Sequence, residues 1–238
     1  MKYILSAVLL FATAITFAEE KTLQSVIDAA KAKNRAKADP EKLAAYAAGI
    51  EAVRKAEITK SAKQEGEKAP EFTLPEAKGG TVNLSSELKK GPVVLAWYRG
   101  GWCPYCNIQL AAYQQILPQI EELGAQLIAV SPELPDSALS TTEKNDLKFP
   151  VLSDQNLKVA AEYGLVFELT PDVEKYYAGF FDMAEYNGED AAKNELPLAA
   201  TYVIGQNGKI AWAFLESDYT KRAEPGDILR VLNELQKP

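Results

Sequence analysis

The chain has 238 residues, 26 Lys+Arg against 33 Asp+Glu for a net charge of -7, 47% hydrophobic residues, two cysteines and no histidine. That length suits one domain with an appendage and leaves ample apolar content for a core. The missing histidine excludes Ser-His-Asp and Cys-His nucleophile pairs, His-ligated zinc and an imidazole base. Two cysteines cannot close a Cys₄ zinc or iron–sulfur site within one chain, and the acidic balance opposes binding to nucleic-acid phosphates.

The first stretch, MKYILSAVLLFATAITFA, has a single cation, Lys2, then an apolar run ending in small residues. It predicts a secretory signal peptide over residues 1–18, cleaved after Ala18. Export to the periplasm or the extracellular space follows, with no stable membrane insertion once the segment is removed and with an environment that permits disulfides.

Residues 19–67 predict an N-terminal helical extension. Leu23, Val26, Ile27 and Ala30 fall at i, i+3, i+4 and i+7, and Leu43, Tyr46, Ala47, Ile50 and Val53 repeat the spacing. Asp39 before Pro40 marks the start of the second helix. Residues 19–69 carry 11 cations against 9 anions, whereas residues 70–238 carry 14 against 24, so the acidity belongs to the main domain. Each helix has a one-sided apolar stripe that must pack either on that domain or on a partner chain.

SAKQEGEKAPEFTLP is the boundary, and residues 68–238 form the main domain. Strands are predicted at 72–74, 81–84 and 93–98, a helix at 103–117, a strand at 126–130, a helix at 137–147, a short strand at 151–152 and a helix at 156–163. A long segment, 164–197, is rich in Tyr, Phe and acid, and long insertions of that composition tend to be functional. A strand at 200–204, the turn Gln206-Asn207-Gly208-Lys209, a strand at 210–214 and a helix at 225–236 close the chain. Asn207-Gly208 is the pair favoured in type I′ hairpin turns. The order βαβ followed by ββα predicts an α/β domain, a central mixed β-sheet flanked by helices.

Neither Gly79-Gly80 nor Gly100-Gly101 has the GxGxxG or P-loop spacing, so no nucleotide cofactor is expected. Both cysteines lie in LAWYRGGWCPYCNIQL, where a buried strand meets a helix. Unsatisfied N–H groups at a helix start stabilise a thiolate. Cys103 and Cys106, at i and i+3, share one helix face and can form a disulfide. Arg99 is the one nearby cation able to favour a thiolate or to hold a bound oxygen. As a staple the disulfide would close only four residues, worth about 2 kcal/mol, so redox chemistry is the stronger reading. A metal would need ligands from a second chain or from carboxylates, and none is expected. Glu121, Glu122, Asp136, Glu143 and Asp154 form no fixed carboxylate pair. Trp97 reads as core and Trp102 as a shield on one side of the thiols. Tyr105 reads as a cover over them or as a docking aromatic, and Arg222 as a surface charge.

At these residues the chain resembles the peroxiredoxin and thiol-specific-antioxidant branch of the thioredoxin superfamily. The motifs are GEKAPEFTLP, VVLAWYRGGWCPYCNIQL, VLSDQNLKVAAEYGL, TYVIGQNGKIAWAF and DYTKRAEPGDILRVL. The resemblance implies a thioredoxin-like fold and a thiol peroxidase that reduces hydrogen peroxide or alkyl hydroperoxides without a cofactor. Set against the family pattern PxxxTxxC, Arg99 takes the proline position, Cys103 the threonine and Cys106 the peroxidatic cysteine. Cys103 is then the resolving residue, Cys103 and Cys106 form the disulfide, and Arg99 stabilises thiolate and peroxide. A thioredoxin-like or other dithiol would be the reductant, and a homodimer is compatible with the family. Set instead against WCxxC, Cys103 attacks and Cys106 resolves, which is the alternative of an extracytoplasmic thiol–disulfide oxidoreductase. Two positions depart from the patterns: Ala199 stands where a cis-proline or an arginine is usual, and Gly205 where an aspartate is usual. A third reading is a binding module that docks a partner through 164–197 or the N-terminal helices, its disulfide permanently closed.

Overall fold

The structure, a computed structural model, describes residues 21–188 and 194–237. The signal segment expected over residues 1–18 lies outside them. Helices α1 (Leu23–Arg35), α2 (Pro40–Lys55) and α3 (Ile58–Ser61) come first. Thr22 Oγ1 caps α1, accepting from Ser25 N at 3.1 Å, and Asp39 caps α2, accepting from Glu41 N at 2.9 Å, with Pro40 at the first helical position. Only part of each stripe is covered. Leu23, Ile27, Ala45 and Val53 are buried, while Val26 is 41% exposed.

The main domain runs β1 (Thr73–Pro75), β2 (Thr81–Asn83), α4 (Leu84–Leu88), β3 (Val93–Trp97), α5 (Pro104–Glu122), β4 (Gln126–Ser131), α6 (Pro135–Lys144) and β5 (Val151–Ser153). A 3₁₀ turn, Gln155–Leu157, leads into α7 (Lys158–Glu162). Then come β6 (Val166–Glu168), α8 (Pro171–Ala178), α9 (Met183–Asn187), β7 (Glu195–Pro197), β8 (Thr201–Ile204), β9 (Ile210–Phe214) and α10 (Pro225–Leu235). The central sheet has the order β5-β4-β3-β8-β9, with β3, β4 and β5 parallel and β8 and β9 antiparallel. It is the expected mixed sheet flanked by helices. Every residue of β3 is buried because both faces are covered: Val93, Leu95 and Trp97 join one core, Val94 and Ala96 the other.

Several local expectations change. The strand expected at 81–84 stops at Asn83, whose Oδ1 accepts from Ser86 N at 2.9 Å and starts α4. Helix α5 continues five residues past the expected end at 117, through Pro118. That proline is exposed, so the missing N–H and the ring are accommodated at the surface. The turn after β8 is not type I′. Only Gly208 has positive φ (74°), with its N–H donating to Gly205 O at 2.8 Å, and the register slips by a bulge between Val203 and Ile204. Within 164–197 the chain forms the β6–β7 hairpin and helices α8 and α9, none of them anticipated.

The N-terminal helices pack on their own chain. Helix α2 lies on α8, where the Tyr46 ring meets Tyr177 edge-on at 5.8 Å. Helix α1 lies on α5, and its first N–H groups are taken from the far end of the sequence. Glu224 accepts from Leu23 N at 2.9 Å and from Gln24 N at 2.8 Å, placing a carboxylate at the positive end of the helix. Glu224→Ala is expected to lower unfolding free energy by about 1 kcal/mol and to speed limited proteolysis between α1 and α2. Denaturant titration and proteolysis check this, and unchanged values for both would mean that Glu224 does not hold the helix.

Candidate active site

The site forms where β3 ends and α5 begins. Two glycines let the chain turn there. Gly100 has φ 148°, and a Cβ on it would lie 2.2 Å from Trp102 Nε1, while a Cβ on Gly101 would lie 2.0 Å from Thr141 Oγ1. Cys103 is the residue preceding the helix, Pro104 opens it, and Cys106 is in its first turn. Asn107 ties the loop back, its Nδ2 donating to Gly101 O at 2.8 Å and to Cys103 O at 3.0 Å.

Glu133, just beyond β4, anchors the loop from the other side. Its carboxylate accepts from Gly101 N at 2.8 Å, Tyr98 Oη at 2.7 Å and Thr141 Oγ1 at 3.3 Å, and it is fully buried. Burial raises its pKa, and these three donors oppose the rise. Sequence reasoning missed this residue. The available signal was an acid just past the carboxyl end of a buried parallel strand, where α/β sheets assemble their sites.

Both cysteines are buried thiols, at 1% and 0% exposure. Their environments push them apart. Burial opposes ionisation of Cys106, yet the hydrogen bond from Cys103 and the guanidinium groups of Arg222 and Arg99 outweigh it and hold this thiol well below its ordinary range. Burial and the neighbouring Cys106 push Cys103 well above that range.

Arg222 is not the surface charge expected from sequence. It is 2% exposed, and its Nη2 donates to Cys106 Sγ at 3.5 Å. Its Nε donates to Gln109 Oε1 at 2.7 Å, and Nη1 donates to the carbonyls of Lys221, at 2.8 Å, and Tyr219. Gln109 is oriented in turn by Tyr113 Oη at 3.3 Å. Nothing in the composition of YTKRAEP separates a buried arginine from a solvated one.

Arg99, the cation expected beside the thiols, is also buried but takes a different part. Its guanidinium lies 4.3 Å from the ring centre of Tyr219 and 5.1 Å from that of Trp102, and it donates to Tyr177 Oη. Its Nε has no hydrogen-bond partner. Burial alone would lower its pKa, but the Tyr177 phenol and the two thiols carry it upward, so Arg99 remains charged. Arg99 and Cys103 border a cavity of about 570 Å³ walled by α1, α2 and α8, and Cys106 lies behind it. Trp102 shields one side, stacked on Phe181 at 4.3 Å, and Tyr105 packs on Tyr219 at 5.9 Å beside the mouth.

The other candidates fall away from the chemistry. Trp97 is core, against Tyr163. Asp154 is buried and caps α7, accepting from Val159 N at 3.0 Å and Ala160 N at 2.8 Å. Glu121 and Glu122 are exposed at the end of α5. Ala199 is buried, and no cis peptide bond occurs among the described residues. No group of three acidic or thiol side chains among them converges to hold a metal ion.

A family model described as the AhpC/TSA family matches residues 66–213. Peroxiredoxin Q, chloroplastic, of Oryza sativa subsp. japonica is 27% identical over 170 residues, which are 71% of this chain and 67% of that protein. Thiol-disulfide oxidoreductase ResA of Bacillus thuringiensis subsp. konkukian is 31% identical over 111 residues, 46% of this chain and 63% of that protein. Among solved structures, peroxidoxin BcpB from Mycobacterium tuberculosis has a TM-score of 0.57 at 21% identity, over 73% of this chain and 99% of its own, a likeness of fold.

In a Cys103→Ser background, thiolate absorbance near 240 nm is expected to show Cys106 ionising below the range of a free thiol. Arg222→Met should move that midpoint upward and Arg222→Lys should restore part of the difference. A midpoint indifferent to residue 222 would remove this arginine from the thiolate's environment.

Proposed function

Since the chain belongs to the AhpC/TSA family, in the peroxiredoxin-like branch of the thioredoxin superfamily, we propose that it is a thiol peroxidase working through Cys103 and Cys106. The observation that carries the proposal is the guanidinium of Arg222, fixed from three sides, donating to Cys106 Sγ at 3.5 Å with the Cys103 thiol beside it. Cys106 as thiolate attacks one oxygen of hydrogen peroxide or an alkyl hydroperoxide. The O–O bond breaks, the sulfur becomes a sulfenic acid, and water or an alcohol leaves after taking a proton. Arg222 and Arg99 stabilise the charge that moves from sulfur to the leaving oxygen.

Cys103 then condenses with the sulfenic acid, forming the Cys103–Cys106 disulfide and releasing water. A thioredoxin-like or other external dithiol returns both sulfurs to thiols and is itself oxidised to a disulfide. The first 18 residues support export, so this reductant would act in the periplasm or outside the cell.

The alternative is a thiol–disulfide oxidoreductase. It is favoured by one observation, that Cys103 and not Cys106 borders the cavity, and by the likeness to ResA. It needs Cys103 as the attacking thiolate, and burial together with Cys106 pushes that thiol up. The peroxidase reading uses the thiol that the two arginines favour.

Stopped-flow tryptophan fluorescence of the reduced protein mixed with hydrogen peroxide tests the choice, with Trp102 beside the thiols as reporter. Oxidation is expected to exceed that of a free thiol at least about a hundredfold, the scale of one preorganised donor at a transition state, to survive Cys103→Ser and to vanish in Cys106→Ser. Slow reaction in every form would overturn the peroxidase assignment and leave disulfide exchange through Cys103.

A further inference from the structure

The cavity over Cys103 carries a charge opposite to that of the protein. In a chain of net charge -7, its lining holds five cations, Lys31, Arg35, Lys37, Lys42 and Arg99, against one anion, Asp39. Lys31 is engaged elsewhere, with Asp218 at 3.6 Å and Thr220 Oγ1 at 2.8 Å. Arg35, Lys37 and Lys42 form no ion pair among the described residues, so three cations stand at the mouth with no carboxylate on them.

Between that mouth and the thiol the walls are apolar and aromatic. Trp102, Tyr177 and Phe181 stack along one side, and Phe180 stands 73% exposed at the rim with Lys42 Nζ 3.4 Å from its ring centre. The volume, about 570 Å³, lies within the range of small-molecule sites and far exceeds the needs of hydrogen peroxide. The rim and much of the wall come from α1, the α1–α2 connection, α2 and α8. The first three precede residues 66–213, the segment shared with the family.

We propose that this cavity binds an amphipathic organic carboxylate, with its hydrocarbon body along the aromatic wall and its carboxylate at Arg35 and Lys42. Resting on the peroxidase reading, this makes the preferred substrate a hydroperoxide of that class. The hydroperoxide group lies toward Arg99 and the thiols, and the charged end stays at the mouth. Each rim pair is partly in water and weak, so two together set a preference of about tenfold for the acid over its uncharged counterpart.

Two measurements on the reduced full chain test this, one of them without chemistry. In isothermal titration, octanoate is expected to bind about tenfold more tightly than octan-1-ol, and an Arg35→Gln, Lys42→Gln double variant should erase the difference. In turnover assays, linoleic acid hydroperoxide should be preferred over its methyl ester in the wild type and not in the double variant, while the rate with hydrogen peroxide is the same in both proteins. Equal binding of octanoate and octan-1-ol by the wild type, or a preference that survives the double substitution, would overturn the proposal even if hydrogen peroxide is consumed rapidly. If octanoate binds selectively and no hydroperoxide is consumed, the carboxylate site stands and the peroxidase reading falls.

Discussion

A thiolate enclosed by protein cannot rely on water, and every feature of this site follows from how its charge is compensated. Moving an ion out of water costs several kcal/mol unless fixed partners replace the solvent. For Cys106 those partners are the Arg222 guanidinium, the Cys103 thiol and the start of a helix. Arg222 is useful because it is held in place: Nε donates to Gln109 and Nη1 to two carbonyls of its own loop. The Cys106 sulfur therefore meets a cation already in place, and the proposed reaction needs no reorganisation when charge moves.

The same constraint divides the two arginines and the two cysteines. Arg222 has Nε and Nη1 engaged elsewhere and turns Nη2 to Cys106. Arg99 lies in an aromatic enclosure with an unpartnered Nε, near enough to both sulfurs to influence them and open toward the cavity. Cys103 is pushed up where Cys106 is pulled down, which suits the proposed division of roles, Cys106 attacking and Cys103 keeping its proton until a partner sulfur appears. Glu133 sits behind this pair, holding the loop by Gly101 N and Tyr98 Oη. Of the ion pairs formed among the described residues, none takes either of these arginines.

What was legible in the sequence was what depends on short-range order. The fully apolar run at β3, the Asp39-Pro40 start of α2 and the placement of CPYC at a strand-to-helix junction are local signals, and all three have local causes. The α4 start at Leu84 was hidden because a strand and a helix meet at Asn83, whose side chain decides the boundary. The β6–β7 hairpin was hidden because its strands are three residues each and widely separated in sequence, so neither has a period to read. Arg222, Gln109 and Glu133 were hidden for a stronger reason. A buried polar residue differs from an exposed one only through partners far away in the chain, and Arg222 meets Gln109 across 113 positions and Cys106 across 116. The cysteines and Arg99 could be read; Arg222, the cation that touches Cys106, could not.

The helical extension belongs to this compensation. Helix α1 grips the segment that carries Arg222 at successive points: Lys31 to Asp218 and Thr220, Gln24 Nε2 to the Thr220 carbonyl at 3.3 Å, and the first N–H groups of the helix to Glu224. Arg222 lies between Thr220 and Glu224, so the loop that delivers the guanidinium is fastened on both sides by a helix nearly 200 residues away in sequence. The segment matched to the family, residues 66–213, contains both cysteines and Arg99 but neither Arg222 nor α1. The middle of the chain thus supplies the thiols and their helix, while the cation that touches Cys106 and the helix that secures it come from toward its two ends. A guanidinium on an unfastened loop would lose entropy on reaching the sulfur and would be partly solvated when it arrived. Fastened in advance, it meets the sulfur already ordered and out of water, and that is the physical link between an appended pair of helices and the chemistry of a buried thiol.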